Sequence, residues 1–184
     1  MTKRIIQVVL TVAIIGLLYF CYESIATPIR FQKEKARRYN QVIERLKDIR
    51  KAQLAYNEKY GLYTASFDTL INFVKNDSLP IVMAIGNVPD TLTEEQAVKM
   101  NLVTRDTILI SVIDTLFGKA YPVDSIKYVP FTNGAIFKMA VGEVQTGSGV
   151  AVKVFEAKDS KPFDPSQVMA VGSLTEATTA GNWE

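Results

Sequence analysis

The sequence predicts an α+β fold, in which an N-terminal transmembrane helix continues into a long amphipathic helix that packs on a small antiparallel β-sheet head. Three observations lead to this prediction. An apolar run covers Ile5 to Tyr22, apolar residues recur at helical spacing through residues 39–56, and apolar residues alternate from about residue 107 onward. The change of period from 3.6 to 2 residues indicates that strands follow the helices.

The apolar run is long enough to cross a bilayer. Its 18 residues are interrupted only by Gln7 and Thr11, and at about 1.5 Å per residue they reach roughly 27 Å. Aromatic residues that suit the membrane interface stand at its end: Tyr19, Phe20 and Tyr22. We therefore expect an uncleaved transmembrane helix over residues 5–27, after a cytoplasmic N-terminus at residues 1–4.

Two other interpretations of this run stay open. In a cleaved signal peptide, Lys3 and Arg4 would form the basic region, and the stretch Ser24-Ile25-Ala26 would supply the small residues of a cleavage site. In a lipoprotein, Cys21 would be the anchored residue, but the Phe20 side chain is too bulky to precede a lipidated cysteine.

The basic residues around the run bear on its orientation. Five of them follow it: Arg30, Lys33, Lys35, Arg37 and Arg38. Counted alone, they would place the large domain in the cytoplasm under the positive-inside rule. However, a very short basic N-terminus before an apolar run is the usual geometry of export, and a head rich in Thr, Ser and Asn suits an exported domain. We expect a single-pass inner-membrane protein with its head in the periplasm or outside.

Residues 28–61 predict a basic amphipathic stem helix. Residues 30–61 hold ten Lys and Arg against four Asp and Glu, and Gly61 suits a helix end. We expect residues 46–60 to pack on the chain's own head, and residues 30–45 to be solvated or paired with another chain. An apolar seam at spacings of three and four residues supplies the candidate helix-packing interface: Tyr39, Val42, Ile43, Leu46 and Ile49.

Residues 62–158 predict the α+β head. Ser66 and Thr93 are placed to cap two short helices, "FDTLINFVKN" and "EEQAVKM". The predicted strands are "LPIVMAI", "TILISVIDTLF", "SIKYVPF", "AIFKMAVGEVQ" and "GVAVKVFEAK". Turns at 132–134 and 146–149 would make the last three strands an antiparallel meander. We expect residues 159–184 to form an irregular tail.

The residue types present argue against an enzyme. The chain has no histidine and one cysteine, Cys21, which removes the commonest general base and any multi-cysteine zinc site. "GEVQTGSG" lies between strands and lacks the helix and the lysine of a phosphate loop. We expect no cofactor, no metal and no nucleic-acid partner, because the basic stem has no base-stacking sheet beside it. Membrane lipid or an acidic partner suits such a stem better.

One order of features in this chain is typical of a known family. A short basic N-terminus, an apolar helix, a proline near its end, an amphipathic stem and an antiparallel sheet follow one another. The residues that carry the pattern are Pro28, Ala52, Ala55, Tyr56, Gly61, Tyr63 and Leu70. The chain resembles the type IV pilins and the pseudopilins of type II secretion. Those proteins have a glycine cleavage site, then a phenylalanine, then a glutamate four residues later. Here Leu17 follows Gly16 and Cys21 replaces the glutamate, so the resemblance implies an architecture and neither peptidase processing nor a filament.

Three functions follow as hypotheses. The resemblance implies a non-catalytic, pseudopilin-like subunit of a trans-envelope secretion or pilus-like assembly, in contact with other membrane subunits or copies of itself. The second hypothesis is an accessory subunit of a proton-channel (TonB-type) energising or transport complex. The third is a membrane-anchored ligand-binding module, which would use exposed aromatic residues such as Tyr121, Tyr128 and Trp183.

Overall fold

A single helix forms the first third of the chain. The structure is a computed structural model that describes residues 2–86, 103–147 and 149–184. In it, helix α1 covers Thr2–Tyr60 and contains Pro28 without ending there. The helix stops at Gly61, which has a φ of 67° and whose N–H donates to the carbonyl oxygen of Asn57 at 2.7 Å. The predicted transmembrane and stem helices are therefore one continuous element.

A short helix and a two-stranded ribbon follow. Helix α2 covers Phe67–Asn76, and the Ser66 hydroxyl caps it by accepting from the N–H of Thr69 at 3.3 Å. Strand β1, Ser78–Gly86, pairs antiparallel with β2, Val103–Ser111. These elements confirm the predicted capped helix and the predicted strand after it. The helix predicted after Thr93 lies outside the described residues.

The second sheet has three strands in the order β3-β4-β5. Strand β3 covers Lys138–Gln145, β4 covers Ala151–Lys158, and β5 covers Ala170–Gly172. Both pairings are antiparallel. The hairpin of β3 and β4 is therefore confirmed, and with α1 it confirms the predicted α+β class.

Two of the predicted strands are wrong in part or whole. In "TILISVIDTLF" the strand ends at Ser111, and a short helix α3 covers Val112–Leu116 because Val112 turns inward and is fully buried. In "SIKYVPF" Tyr128 forms an isolated antiparallel bridge with Ile136, and a 3-10 helix, Val123–Lys127, replaces the first three residues of the predicted strand. It begins after Pro122, whose carbonyl oxygen accepts from the N–H of Ser125 at 2.9 Å.

The tail is not a separate irregular extension. Its strand β5 lies at the edge of the sheet beside β4 and contributes Val171, which is 0% exposed, to the core. Met169, just before the strand, is also a core residue, at 2% exposure. A hydrogen bond links the two ends of the tail, because the side-chain amide of Asn182 donates to the carbonyl oxygen of Val168 at 2.7 Å. A strand of three residues is too short to show a period of 2 in the sequence, and the prediction missed it for that reason.

The core lies between the second half of α1, helix α2 and the three-stranded sheet. Its fully buried members include Leu46, Ile49, Leu70, Val74 and Phe155. Burial of such a side chain contributes about 1.5–3 kcal/mol. The second half of α1 is thus the central helix of the head, while its first half projects from it.

Candidate functional site: the projecting helix and the cleft beside it

The projecting half of α1 is apolar and unburied. Its large apolar side chains between Ile5 and Ile29 are exposed by 51–74%, and none of its most apolar 18-residue window is buried. An apolar surface of this size is not normally left in contact with water on a monomeric soluble protein. This helix is long and apolar enough to cross a membrane.

The candidate helix-packing interface lies inside the head. Four of its five members are buried, with exposures of 6% for Tyr39, 3% for Val42, and 0% for Leu46 and Ile49. The fifth, Ile43, is half-buried against the same core. For Leu46 and Ile49 this matches the expectation that residues 46–60 pack on the chain's own head. For Tyr39 and Val42 the expectation of a solvated or intermolecular contact is wrong. None of the four buried side chains can contact another helix unless the core opens.

The tail explains the burial of Tyr39. The Tyr39 hydroxyl donates to the carbonyl oxygen of Gln167 at 2.9 Å and accepts from the N–H of Asp164 at 3.2 Å. One turn lower, the Lys35 ammonium lies 2.5 Å from the Asp164 carboxylate. Lower still, the rings of Phe31 and Phe163 stack with their centroids 5.2 Å apart. The tail therefore covers one face of α1 from residue 31 to residue 39.

A cleft of about 310 Å³ opens beside this contact. Helix α1 supplies Arg38 and Tyr39 to one wall, and the loops at 129–133 and 159–163 supply the others. These three segments are far apart in the sequence, and none of them carries a motif. Sequence reasoning missed the cleft because only the fold brings them together.

Arg38 is held in a defined position at the cleft. Its Nε donates to Glu34 at 2.7 Å, and its guanidinium carbon lies 4.6 Å from the ring centroid of Phe163 and 5.6 Å from that of Phe131. The Arg38 and Arg37 hydrogen bonds hold the pKa of Glu34 below its ordinary value. Phe131 has a φ of 59°, a left-handed conformation that costs energy for a side chain of this size.

Asp159 is a buried carboxylate in the wall of the cleft. It is 5% exposed. One carboxylate oxygen accepts from the N–H of Lys161 at 2.8 Å, and the described residues offer no other partner to this side chain. Burial raises the pKa of the Asp159 carboxyl. The Lys161 side chain also lines the cleft, is exposed, and forms no ion pair within the described part of the chain.

The aromatic residues suggested for a binding module are placed differently from one another. Tyr121 is half-buried, and its hydroxyl donates to Asp48 at 2.5 Å and accepts from Arg45 at 3.1 Å. Burial, followed by the Asp48 hydrogen bond, raises the pKa of Tyr121. Trp183 is half-buried in the core, whereas Tyr128 is 42% exposed. Of these three side chains, only Tyr128 is exposed.

Comparisons with known proteins identify no relative of this chain. No family profile, no curated protein and no solved structure matches the chain. The likeness to pilins consequently rests on general architecture, a long N-terminal apolar helix with a small antiparallel sheet. Among the described residues, no group of three or more His, Cys, Asp or Glu is placed to hold a metal ion.

Proposed function

We propose that this chain is a non-catalytic, single-pass membrane protein that works as a pilin-like subunit of a trans-envelope assembly. One observation carries the proposal. The first half of α1 has the length and composition of a membrane span and is unburied, while its second half is the central helix of the head. A helix shared in this way joins the anchor to the head without a flexible linker.

The distance along α1 supports a head held near the membrane surface. Phe31, which stacks on the tail, is nine residues beyond Tyr22, the last residue of the apolar run, or about 13 Å along the axis. The headgroup layer accounts for about 5–8 Å of that distance. The lower edge of the head would therefore stand just above the lipid headgroups, within reach of neighbouring membrane subunits.

The proposed location is the inner membrane, with the N-terminus in the cytoplasm and the head on the other side. The basic residues Lys3 and Arg4, which precede the apolar run, support this orientation. The apolar seam is used within the head, so contacts with other subunits would use the projecting half of α1 and the exposed face of the stem.

Site-specific photo-crosslinking in cells tests the proposal. The crosslinker would stand at Leu17, which is 65% exposed, and separately at Gln41, on the exposed face of the stem. Val42, which is 3% exposed, is the matched control and should give no intermolecular product. Ile43 is a poor position because its half-buried side chain packs against the core.

Each result has a defined meaning. A ladder of products containing only this chain supports a homo-oligomer of pilin type. A single product with a different membrane protein supports an accessory subunit of an energising or transport complex. The proposal fails if the chain fractionates with soluble proteins and neither exposed position gives a product.

A further inference from the structure

We infer that the cleft beside Arg38 binds a small zwitterion, a ligand that carries one ammonium group and one phosphate or carboxylate group. The inference goes beyond the proposed subunit role and does not depend on it. It rests on the two signs of charge that line the cleft, the cationic Arg38 and Lys161 and the anionic Asp159.

Asp159 supplies the argument for the ammonium group. A carboxylate removed from water costs several kcal/mol unless hydrogen bonds or a counter-charge compensate it. Asp159 is 5% exposed and accepts one backbone hydrogen bond at 2.8 Å, from Lys161. Burial also raises the pKa of this carboxyl group, and no cationic side chain among the described residues forms an ion pair with it. A ligand ammonium group in the cleft would supply that cation.

Arg38 and Lys161 supply the argument for the anionic group. Contacts with Glu34 and two aromatic rings fix the Arg38 guanidinium. Its N–H groups other than Nε–H make no hydrogen bond within the described residues and suit a phosphate or carboxylate. A purely cationic ligand would be repelled by Arg38 and Lys161, and a purely anionic one by Asp159. A zwitterion offers a counter-charge to the two cations and to the carboxylate.

The size and strain of the cleft agree with a small ligand. A volume of about 310 Å³ is at the lower end of the range for ligand cavities, which suits a lipid headgroup or an amino acid rather than an acyl chain. Phe131 lines the cleft with a left-handed backbone, and its ring centroid lies 5.6 Å from the Arg38 guanidinium carbon. Backbone strain of this kind concentrates at binding sites.

Isothermal titration calorimetry on the full chain in maltoside micelles tests the inference. The zwitterionic probes are O-phosphoethanolamine and β-alanine, and the half-ligand probes are inorganic phosphate and ethanolamine. We expect at least one zwitterion to bind with a Kd at least about ten-fold lower than that of either half. The inference is overturned if neither zwitterion saturates at millimolar concentration, or if a half-ligand binds as tightly.

Two variants assign the binding to the cleft. Asp159→Asn keeps an oxygen that can accept from Lys161, and Lys161→Gln changes an exposed side chain. Each should raise the Kd about ten-fold, while Lys119→Gln, an exposed lysine outside the cleft lining, should not change it. If Asp159→Asn fails to fold, Lys161→Gln decides. Unchanged affinity in Lys161→Gln overturns the inference.

A final comparison identifies the source of the zwitterion. A short-chain phosphatidylethanolamine would be titrated into the same micelles beside free O-phosphoethanolamine. Tighter binding of the lipid supports an aminophospholipid headgroup as the ligand. Equal binding supports a soluble zwitterion.

Discussion

The ammonium group of Lys35 on α1 lies 2.5 Å from the carboxylate of Asp164 in the tail. Both side chains are mostly shielded, with exposures of 16% and 20%. The pair is separated by 129 residues in the sequence. It therefore fastens the C-terminal tail to the segment of α1 that leaves the head.

The Lys35–Asp164 pair should make the stability of the protein depend on pH. The hydrogen bond from Lys35, followed by those from Ser166, lowers the pKa of Asp164 to about 2. A carboxyl group with a depressed pKa stabilises the folded state above its unfolded pKa of about 4, and this contribution is lost as pH falls towards 2. Asp164→Asn should therefore lower the Tm at pH 7, and the difference from the wild type should shrink between about pH 5 and pH 2.

Thermal melting of the full chain in maltoside, followed by near-UV circular dichroism, measures this difference. Glu176→Gln is the control, since Glu176 is exposed and its side chain makes no ion pair in the described part of the chain. A Tm difference for Asp164→Asn that stays constant down to pH 2 would contradict the assigned role of the pair.

Leu46 should matter for the stability of the single chain. Leu46→Ala removes a fully buried side chain from the core and should lower the free energy of unfolding by about 2–5 kcal/mol. Leu54→Ala, on the same helix at 42% exposure, should cost less than about 1 kcal/mol. Urea denaturation at several protein concentrations distinguishes packing within one chain from packing between chains. If the cost of Leu46→Ala appears only at high concentration, the side chain acts between chains after all.

Gln53 is a polar residue of the core that hydrogen-bonds a buried backbone segment. Its side-chain amide donates to the carbonyl oxygen of Thr64 at 2.6 Å and accepts from the N–H of Thr64 at 3.2 Å. Gln53→Ala would leave both buried backbone groups unpaired and should cost about 2–4 kcal/mol. Gln41→Ala is the matched control, an exposed glutamine on the same helix. Equal urea midpoints for the two variants would contradict this role.

Gly172 should be far less replaceable than Gly134. Both have a positive φ, 72° and 77°, so alanine at either position costs about 1–2 kcal/mol in backbone strain. At Gly172 a Cβ atom would also collide with the carbonyl oxygen of Phe155, whereas at Gly134 it would meet open space. We expect Gly172→Ala to cost about 3 kcal/mol or more. Similar urea midpoints would show that β5 can shift away from β4.

Local patterns predicted the elements that depend on local signals. The 3.6-residue period with Gly61 predicted where α1 ends, and the alternation from residue 135 predicted β3 and β4. The same reasoning failed at Val112 and in the tail, where long-range burial decides the conformation. Val112 becomes helical because it packs into the core, and β5 exists because β4 offers an edge.

The cleft could not be predicted for a related reason. Arg38, Phe131 and Asp159 come from three segments whose meeting is a property of the tertiary fold. Asp159 stands in a stretch with prolines and little periodicity, which predicts exposure. Its 5% exposure arises because the tail folds back over α1. The seam of α1 was recognised, but its partner was missed because the tail was not expected to be part of the head.

Ile14 should be needed for membrane insertion. It lies near the middle of the apolar run, and its side chain is 51% exposed in the folded chain. An arginine at the centre of a transmembrane helix costs about 2.5–3.5 kcal/mol on insertion, so Ile14→Arg should move a large share of the protein out of the membrane fraction. Ile29→Arg is the matched control, a 61% exposed isoleucine on the same helix beyond the predicted span, and it should leave the distribution unchanged. Ultracentrifugation of carbonate-washed membranes measures both. If Ile14→Arg stays in the membrane fraction as the wild type does, the apolar half of α1 is buried against a protein partner and not in lipid.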